Sequence, residues 1–127
     1  MSGKSSAGNA EMRGFFARKA VRVRKERQVL LAQAQASART IIDHIEKTYN
    51  PVRIYQWGSL VHTEHFTERS DIDIAIEGLT HPLDLHRILD FAETATTMQL
   101  DIVPIEEIEP EYADAIRTNG RVVYERQ

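Results

Sequence analysis

GSLVHTEHFTERSDIDIAI, residues 58–76, contains the two features on which the fold and the candidate site depend. It opens with a Gly-Ser pair directly after the alternating segment 52–57, and it closes with Asp71 to Ile76, where three isoleucines alternate with two aspartates and an alanine. Because successive strand residues point to opposite faces of a sheet, the isoleucines would share one face and the aspartates the other. The stretch therefore predicts two strands separated by a Gly-Ser turn and a connection, with two like charges side by side.

The remaining segments predict helices and further short strands. Residues 10–49 contain no proline, and their apolar side chains recur at spacings of three and four, so a long N-terminal helix is expected over 10–50, with Asn50-Pro51 as its stop. Residues 1–9 are rich in Gly and Ser and predict a disordered tail. Further helices are expected at 82–95 and 111–118, and further strands at 99–103 and 122–124.

This order of elements predicts one domain of the α/β (α+β) class, a small mixed β-sheet flanked by helices. The sheet and its helices would occupy 51–127. The 127 residues contain no cysteine, which excludes disulfides and thiolate chemistry, and no apolar run approaches the roughly 20 residues that span a bilayer. We therefore expect a cytoplasmic protein with no membrane partner.

Charge is divided unevenly along the chain. Residues 1–53 carry 11 Lys/Arg and 4 Asp/Glu, whereas residues 54–127 carry 5 and 15. The stretch RKAVRVRKER, residues 18–27, holds six of the basic residues, but no aromatic side chains interleave for base stacking, so a solvated helix face is favoured over nucleic-acid binding. Because the helix is longer than a small sheet can cover, it is expected to pack on another chain, either a second copy or a partner protein.

Three aspartates predict a metal site. Asp71 and Asp73 would share a strand face, and Asp101 would join them if the strand 99–103 neighbours the strand of Asp73. Gathered carboxylates repel one another unless a cation or full solvation compensates, and oxygen ligands without His or Cys favour Mg²⁺. Gly58 and Ser59 are suited to contact phosphates, since glycine permits close approach of the backbone and serine adds a donor.

Each of these residues also has a simpler interpretation. Asp71 alone could end a loop, Asp73 alone could be a charge that protects an edge strand, and Ser59 could cap a helical turn. The histidines are too scattered for a metal cluster. The DxD pair alone is also typical of glycosyltransferases, but those need a domain of about twice this length. The combination of Gly-Ser, DxD and a later aspartate favours the phosphate-and-metal interpretation.

The segments WGSL, RSDIDIAI, LDIVPIEEI and GRVVYER together resemble the minimal nucleotidyltransferases of the DNA polymerase β-like superfamily, over about residues 50–126. The resemblance implies that Gly58 and Ser59, with Ser70, bind the nucleoside triphosphate and that Asp71, Asp73 and Asp101 bind one or two Mg²⁺ ions. It also implies ATP as a substrate. Similar proteins are antitoxins paired with a HEPN-type toxin, and some of them transfer AMP to the partner.

The leading hypothesis is a Mg²⁺-dependent nucleotidyltransferase that modifies a hydroxyl of a partner protein, as an antitoxin of the HEPN/MNT type. The alternative is a nucleotide-binding antitoxin that acts only by occlusion. A departure from the family pattern favours this alternative: many members have a second Gly and an Arg after the Gly-Ser, where this chain has Leu60, Val61 and His62.

Overall fold

A computed structural model of the chain describes the backbone of residues 2–127 and the side chains from Gly8 onward. The expected order of helices and strands is confirmed. The helices are α1 (Ser2–Tyr49), α2 (Asp84–Ala95) and α3 (Pro110–Asn119), and the strands are β1 (Arg53–Trp57), β2 (Ile72–Glu77), β3 (Leu100–Pro104) and β4 (Arg121–Glu125). Short 3-10 turns follow β1 at Gly58–Leu60 and Thr63–His65, and follow β3 at Ile105–Glu107. Residues 2–9, predicted as part of a disordered tail, lie within the bounds of α1. Met1 lies outside the described residues.

The long helix predicted for 10–50 is present as part of α1, and it runs through Gly14 without a break. Asn50 ends it by adopting a left-handed conformation (φ 44°), with its N–H bonded to the Glu46 carbonyl at 3.2 Å. Asparagine tolerates this conformation better than most residues, and Pro51 cannot continue a helix. The chain then turns directly into β1.

The four strands form one mixed sheet in the order β3-β2-β1-β4. β1 is antiparallel to both β2 and β4, whereas β2 and β3 are parallel. Parallel neighbours need a crossover connection, and α2 provides it. The predicted mixed sheet flanked by helices is therefore confirmed.

The two faces of the sheet have different chemistry. One face, which we call the isoleucine face, is covered by α1 and α2 and is apolar apart from the buried Gln56. Its core residues are Ile54, Ile72, Ile74, Ile76 and Ile102 from the sheet, with Ile41, Ile42, Ile45, Ile88 and Ala92 from the helices. The opposite face, which we call the acidic face, carries a smaller core in which Tyr55 and Ala75 pack under Ala113 and Ile116 of α3. The acidic face is therefore covered at one end only.

Polar contacts hold α3 on the acidic face. Glu77 of β2 accepts a hydrogen bond from the Tyr55 hydroxyl at 3.2 Å, and Arg117 of α3 approaches its carboxylate at 3.7 Å. Because Glu77 lies at the end of β2 away from Asp71 and Asp73, these contacts fix α3 without reaching the aspartates.

Helix α2 begins at Asp84, later than the predicted start at residue 82. Residues 81–84 instead form a turn in which the Asp84 carboxylate accepts a hydrogen bond from the His81 N–H at 3.2 Å.

Among the described residues, α1 is long enough to cross a bilayer, but neither it nor another helix has the continuous apolar span that crossing requires.

Candidate active site

The pairing of β2 with β3 brings two of the predicted aspartates together. In this parallel pair Asp73 lies directly opposite Asp101, which confirms that the strand of Asp101 neighbours that of Asp73. Neighbouring strands are about 4.8 Å apart, so both carboxylates leave the sheet side by side on the acidic face. Asp71 lies one residue before β2, and its charge acts on both of the others.

The electrostatics of the three carboxylates are unfavourable without a cation. Burial raises the pKa of Asp73 to about 7, with further contributions from the charges of Asp101 and Asp71. Burial also raises the pKa of Asp101, and the charge of Asp71 adds to this effect. A carboxylate pKa rises in this way when the charged form lacks a compensating positive charge.

The described part of the chain provides no such compensation. None of its salt bridges includes Asp71, Asp73 or Asp101. The Oδ1 atom of Asp71 is buried without a hydrogen-bond partner among the same residues. A buried carboxylate oxygen that lacks a donor is costly, and a bound cation would satisfy it. The donor set, all carboxylate oxygens, fits Mg²⁺ or Mn²⁺.

The three carboxylates do not, however, form a preorganised metal cage. No group of three His, Asp or Glu side chains within the described residues converges closely enough to hold an ion by itself. This geometry is compatible with Mg²⁺, which is usually held by one or two carboxylates and completes its shell with water and substrate phosphates. The residues present therefore fit a metal that arrives with a polyphosphate better than a permanently caged ion.

The Gly-Ser turn lies directly against the acidic pair. Gly58 adopts a left-handed conformation (φ 74°), and a Cβ at this position would overlap the Asp73 carboxylate oxygen and lie 3.2 Å from its Cγ. Only glycine combines this conformation with so close an approach. The turn is closed by the Val61 and His62 N–H groups, which both donate to the Gly58 carbonyl, and it is anchored by the buried side chain of Leu60.

Ser59 and Ser70 occupy different surroundings. Ser59 follows Gly58 in the 3-10 turn, which has no side-chain cap, so the capping role that was its alternative is not observed. Ser70 closes a turn before Asp71, where its hydroxyl accepts a hydrogen bond from the Thr67 N–H at 2.8 Å. Nucleotide contacts by Gly58, Ser59 and Ser70, like metal binding by the three aspartates, stay predictions.

Two contacts near the site were not anticipated from the sequence. Arg27 of α1 donates from Nε to the Phe66 carbonyl at 2.8 Å and from a second nitrogen to the Thr63 carbonyl, so it holds the connection between the Gly-Ser turn and β2. Tyr112 of α3 packs edge-to-face on Trp57, the last residue of β1. The partners are far apart in the chain, and no local pattern in the sequence identifies them.

Comparison with known protein families agrees with this geometry. The sequence profile of the family described as polymerase beta, nucleotidyltransferase matches residues 39–127. The chain belongs to this nucleotidyltransferase family. The matched region contains the whole sheet and all three aspartates, and it excludes most of α1. No curated protein sequence matches the chain.

Two solved structures share the nucleotidyltransferase fold. One was solved as the structure of a minimal nucleotidyltransferase; it superposes with a TM-score of 0.58 at 19% identity, over 72% of this chain and 93% of that one. The other is a toxin-antitoxin crystal structure with AMP-PNP, with a TM-score of 0.56 at 20% identity, over 69% of this chain and 73% of that one. At these identities the likeness establishes the fold.

Proposed function

We propose that this nucleotidyltransferase-family protein is a Mg²⁺-dependent enzyme that transfers AMP from ATP to a hydroxyl of a partner protein. The observation that carries this proposal is the assembly on the acidic face: Asp73 and Asp101 in register, Asp71 with an unpartnered buried oxygen, and Gly58 pressed against Asp73. Such an assembly is unfavourable in isolation and becomes favourable when a cation and a polyphosphate bind.

The roles of the residues follow from their positions. Asp71 and Asp73 would hold the metal that accompanies the triphosphate, while Asp101 would help to hold a second metal and accept the proton of the attacking hydroxyl. Gly58 and Ser59 would contact the phosphates, because the turn approaches Asp73 from the side of β1. When bound, the metal neutralises charge that develops on the phosphoryl oxygens. The chain itself would mainly position groups and hold charge.

We further propose that the acceptor belongs to a HEPN-type toxin and that the protein is its antitoxin, working in the cytoplasm. The structural likeness to a toxin-antitoxin protein solved with AMP-PNP supports this proposal. Docking through a stable complex with the toxin would bring the acceptor hydroxyl to the site.

The exposed part of α1 supports a helical partner. Its large apolar side chains between residues 12 and 30 are 41–58% exposed: Met12, Phe15, Phe16, Val21, Val23, Val29 and Leu30. The row formed by Phe16, Val23 and Leu30 continues into Ala34 and Ile41, which the domain buries. These residues are four or seven positions apart, which keeps them on one side of the helix, as packing against another helix requires. A second copy of the chain is the other candidate occupant.

The experiment that tests transfer uses the purified protein, Mg²⁺ and ATP labelled on the α-phosphate. The candidate partner is any small all-helical protein whose gene is found to adjoin that of this protein. Labelling of the partner is expected, and Asp71→Asn with Asp73→Asn should lower its rate by roughly 100-fold or more. Asp90→Asn is a matched control, because Asp90 is exposed on α2 and pairs only with His86 among the described residues. It should label normally.

The same mixture separates transfer from occlusion. If the protein acts only by covering the toxin, a stable complex forms and no label appears on the partner, with or without the two aspartates. If the double variant labels the partner as fast as the unaltered protein, the assignment of the aspartates is wrong even though a transferase is present.

A further inference from the structure

Tyr112 lies beside the residues that form the candidate site on the acidic face. It lies in the first turn of α3, and its ring meets Trp57 edge-to-face, with centroids 6.2 Å apart and planes at 90°. Trp57 is paired across the sheet with Asp73, which is in turn paired with Asp101. One tryptophan and two carboxylates are therefore neighbours on three adjacent strands, with Tyr112 above their exposed end.

The position of Tyr112 is fixed, yet its side chain is accessible. Its neighbour Ala113 and the next-turn Ile116 are buried on the sheet, and Arg117 pairs with Glu77, so α3 cannot swing away without losing these contacts. The Tyr112 side chain itself remains 44% exposed. A ligand on the acidic face would meet a tyrosine that is already in place.

The other tyrosines of the chain are engaged elsewhere. The Tyr55 hydroxyl donates to Glu77, and the Tyr124 hydroxyl donates to the Asn50 side chain at 2.7 Å. Tyr49 packs beside His44 at the end of α1. Tyr112, by contrast, lies close enough to the aspartates for their charges to act on its hydroxyl. Burial raises the pKa of its phenol, and the charges of Asp101 and Asp73 raise it further.

We propose that Tyr112 is an acceptor of the nucleotidyl group within its own chain. The proposal rests on the proposed transferase function and names a substrate of the same site. The Tyr112 oxygen would attack the α-phosphorus of ATP, a new phosphodiester bond would form, and the bond from the α-phosphorus to the β-phosphate oxygen would break. Pyrophosphate leaves, and the phenolic proton passes to the Asp101 carboxylate and from there to water.

A purely structural tyrosine would behave differently. The edge-to-face contact with Trp57 uses the ring, which phenylalanine also provides. The hydroxyl also forms a side-chain hydrogen bond with Trp57, which partly offsets the rise in its pKa, but the reaction itself cannot take place without the hydroxyl. Tyr112→Phe therefore removes the proposed reaction while keeping the packing of α3 on the sheet.

The test incubates the full-length protein alone with Mg²⁺ and ATP labelled on the α-phosphate, and then locates the label by mass spectrometry of its peptides. We expect one adenylyl group per chain on the peptide that contains Tyr112. Tyr112→Phe should abolish the label and Asp73→Asn should abolish it as well, whereas Tyr124→Phe should retain it. Circular dichroism of each variant checks that the fold is kept.

A mixture of Tyr112→Phe with Asp73→Asn tests whether the transfer stays within one chain. The first variant has an intact site without the acceptor, and the second has the acceptor without an intact site, so no label is expected on either. Label on the Asp73→Asn chain would show transfer between copies and would overturn the proposal.

Failure of this inference can be distinguished from failure of the proposed function. If the unaltered protein labels its partner but carries no label at Tyr112, the self-acceptor proposal is wrong and the transferase proposal stands. If neither the partner nor the protein is labelled and ATP binding does not depend on Mg²⁺, both proposals fail.

Discussion

The two ends of α1 have the same helical pattern and opposite surroundings. Between residues 34 and 45 its apolar side chains are buried on the isoleucine face, whereas between residues 12 and 30 comparable side chains are exposed to solvent. The nucleotidyltransferase family profile begins at residue 39, inside the buried part. An amphipathic pattern therefore predicts a helix, but the pattern alone does not say which molecule covers its apolar side.

The largest expected difference between the two ends is in stability. Ile41→Ala removes a fully buried side chain and should lower the free energy of unfolding by about 2–5 kcal/mol. Phe16→Ala removes a larger side chain that is 57% exposed, and it should change stability by less than about 0.5 kcal/mol. Urea denaturation followed by circular dichroism measures both. Comparable losses of unfolding free energy in the two variants would mean that the exposed end is covered in solution and that the two ends of α1 do not differ in burial.

Alanine substitution of two glycines, one beside the candidate site and one in the exposed end of α1, compares the same two regions at the level of the backbone. Gly58→Ala should cost about 1–3 kcal/mol, because alanine is strained at this positive φ and its Cβ overlaps the Asp73 carboxylate. Mg²⁺-dependent ATP binding should weaken with it. Gly8→Ala is the matched control: it lies in α1 with nothing within 4 Å of the added Cβ, and it should leave stability unchanged or slightly raised. Thermal denaturation and calorimetric titration distinguish these outcomes.

The raised pKa of Asp73 makes the stability of the domain depend on pH and sets the direction of that dependence. Between the ordinary aspartate pKa near 3.8 and the folded value of about 7, the folded protein binds more protons than the unfolded chain. The metal-free protein should therefore lose stability as pH rises through this window. Asp73→Asn should remove that loss, which is on the order of 2 kcal/mol after allowance for solvent screening.

Denaturation curves from pH 4 to 8 without divalent ions measure this effect, with Asp90→Asn as control. Mg²⁺ competes with the proton for the same carboxylate, so Mg²⁺ affinity should rise with pH and level off above about 7. A metal-free stability that rises over the same window would contradict the assignment.

The smallest expected effect concerns the contact that joins the two regions. Arg27→Ala removes the hydrogen bonds from α1 to the Thr63 and Phe66 carbonyls and should lower the local stability of residues 61–70 by about 1–2 kcal/mol. Hydrogen exchange of these amides measures the change. Arg24→Ala is the control, because Arg24 is exposed in the same basic stretch. Equal exchange in both variants would show that the connection is held by other contacts.

The sequence allowed most of the elements and the acidic set to be predicted, because both depend on local patterns. Alternation identified β2 and β3, and it correctly placed Asp73 and Asp101 on one face once the strands were neighbours. The strand order was not predictable in the same way, since it depends on which apolar faces α1, α2 and α3 cover. The contact of Gly58 with Asp73 and the position of Tyr112 likewise arise from tertiary packing.

The parallel pairing of β2 and β3 has a consequence for the timing of function. Asp101 lies 28 residues after Asp73 in the sequence and is therefore synthesised later. It takes its place opposite Asp73 only when the α2 crossover has packed on the sheet. A nascent or clipped chain that ends before β3 has the serine turn and the first acids but lacks the third. If the proposed function holds, nucleotide chemistry at this face would therefore begin only when the sheet is complete, and an unfinished molecule would not react with ATP.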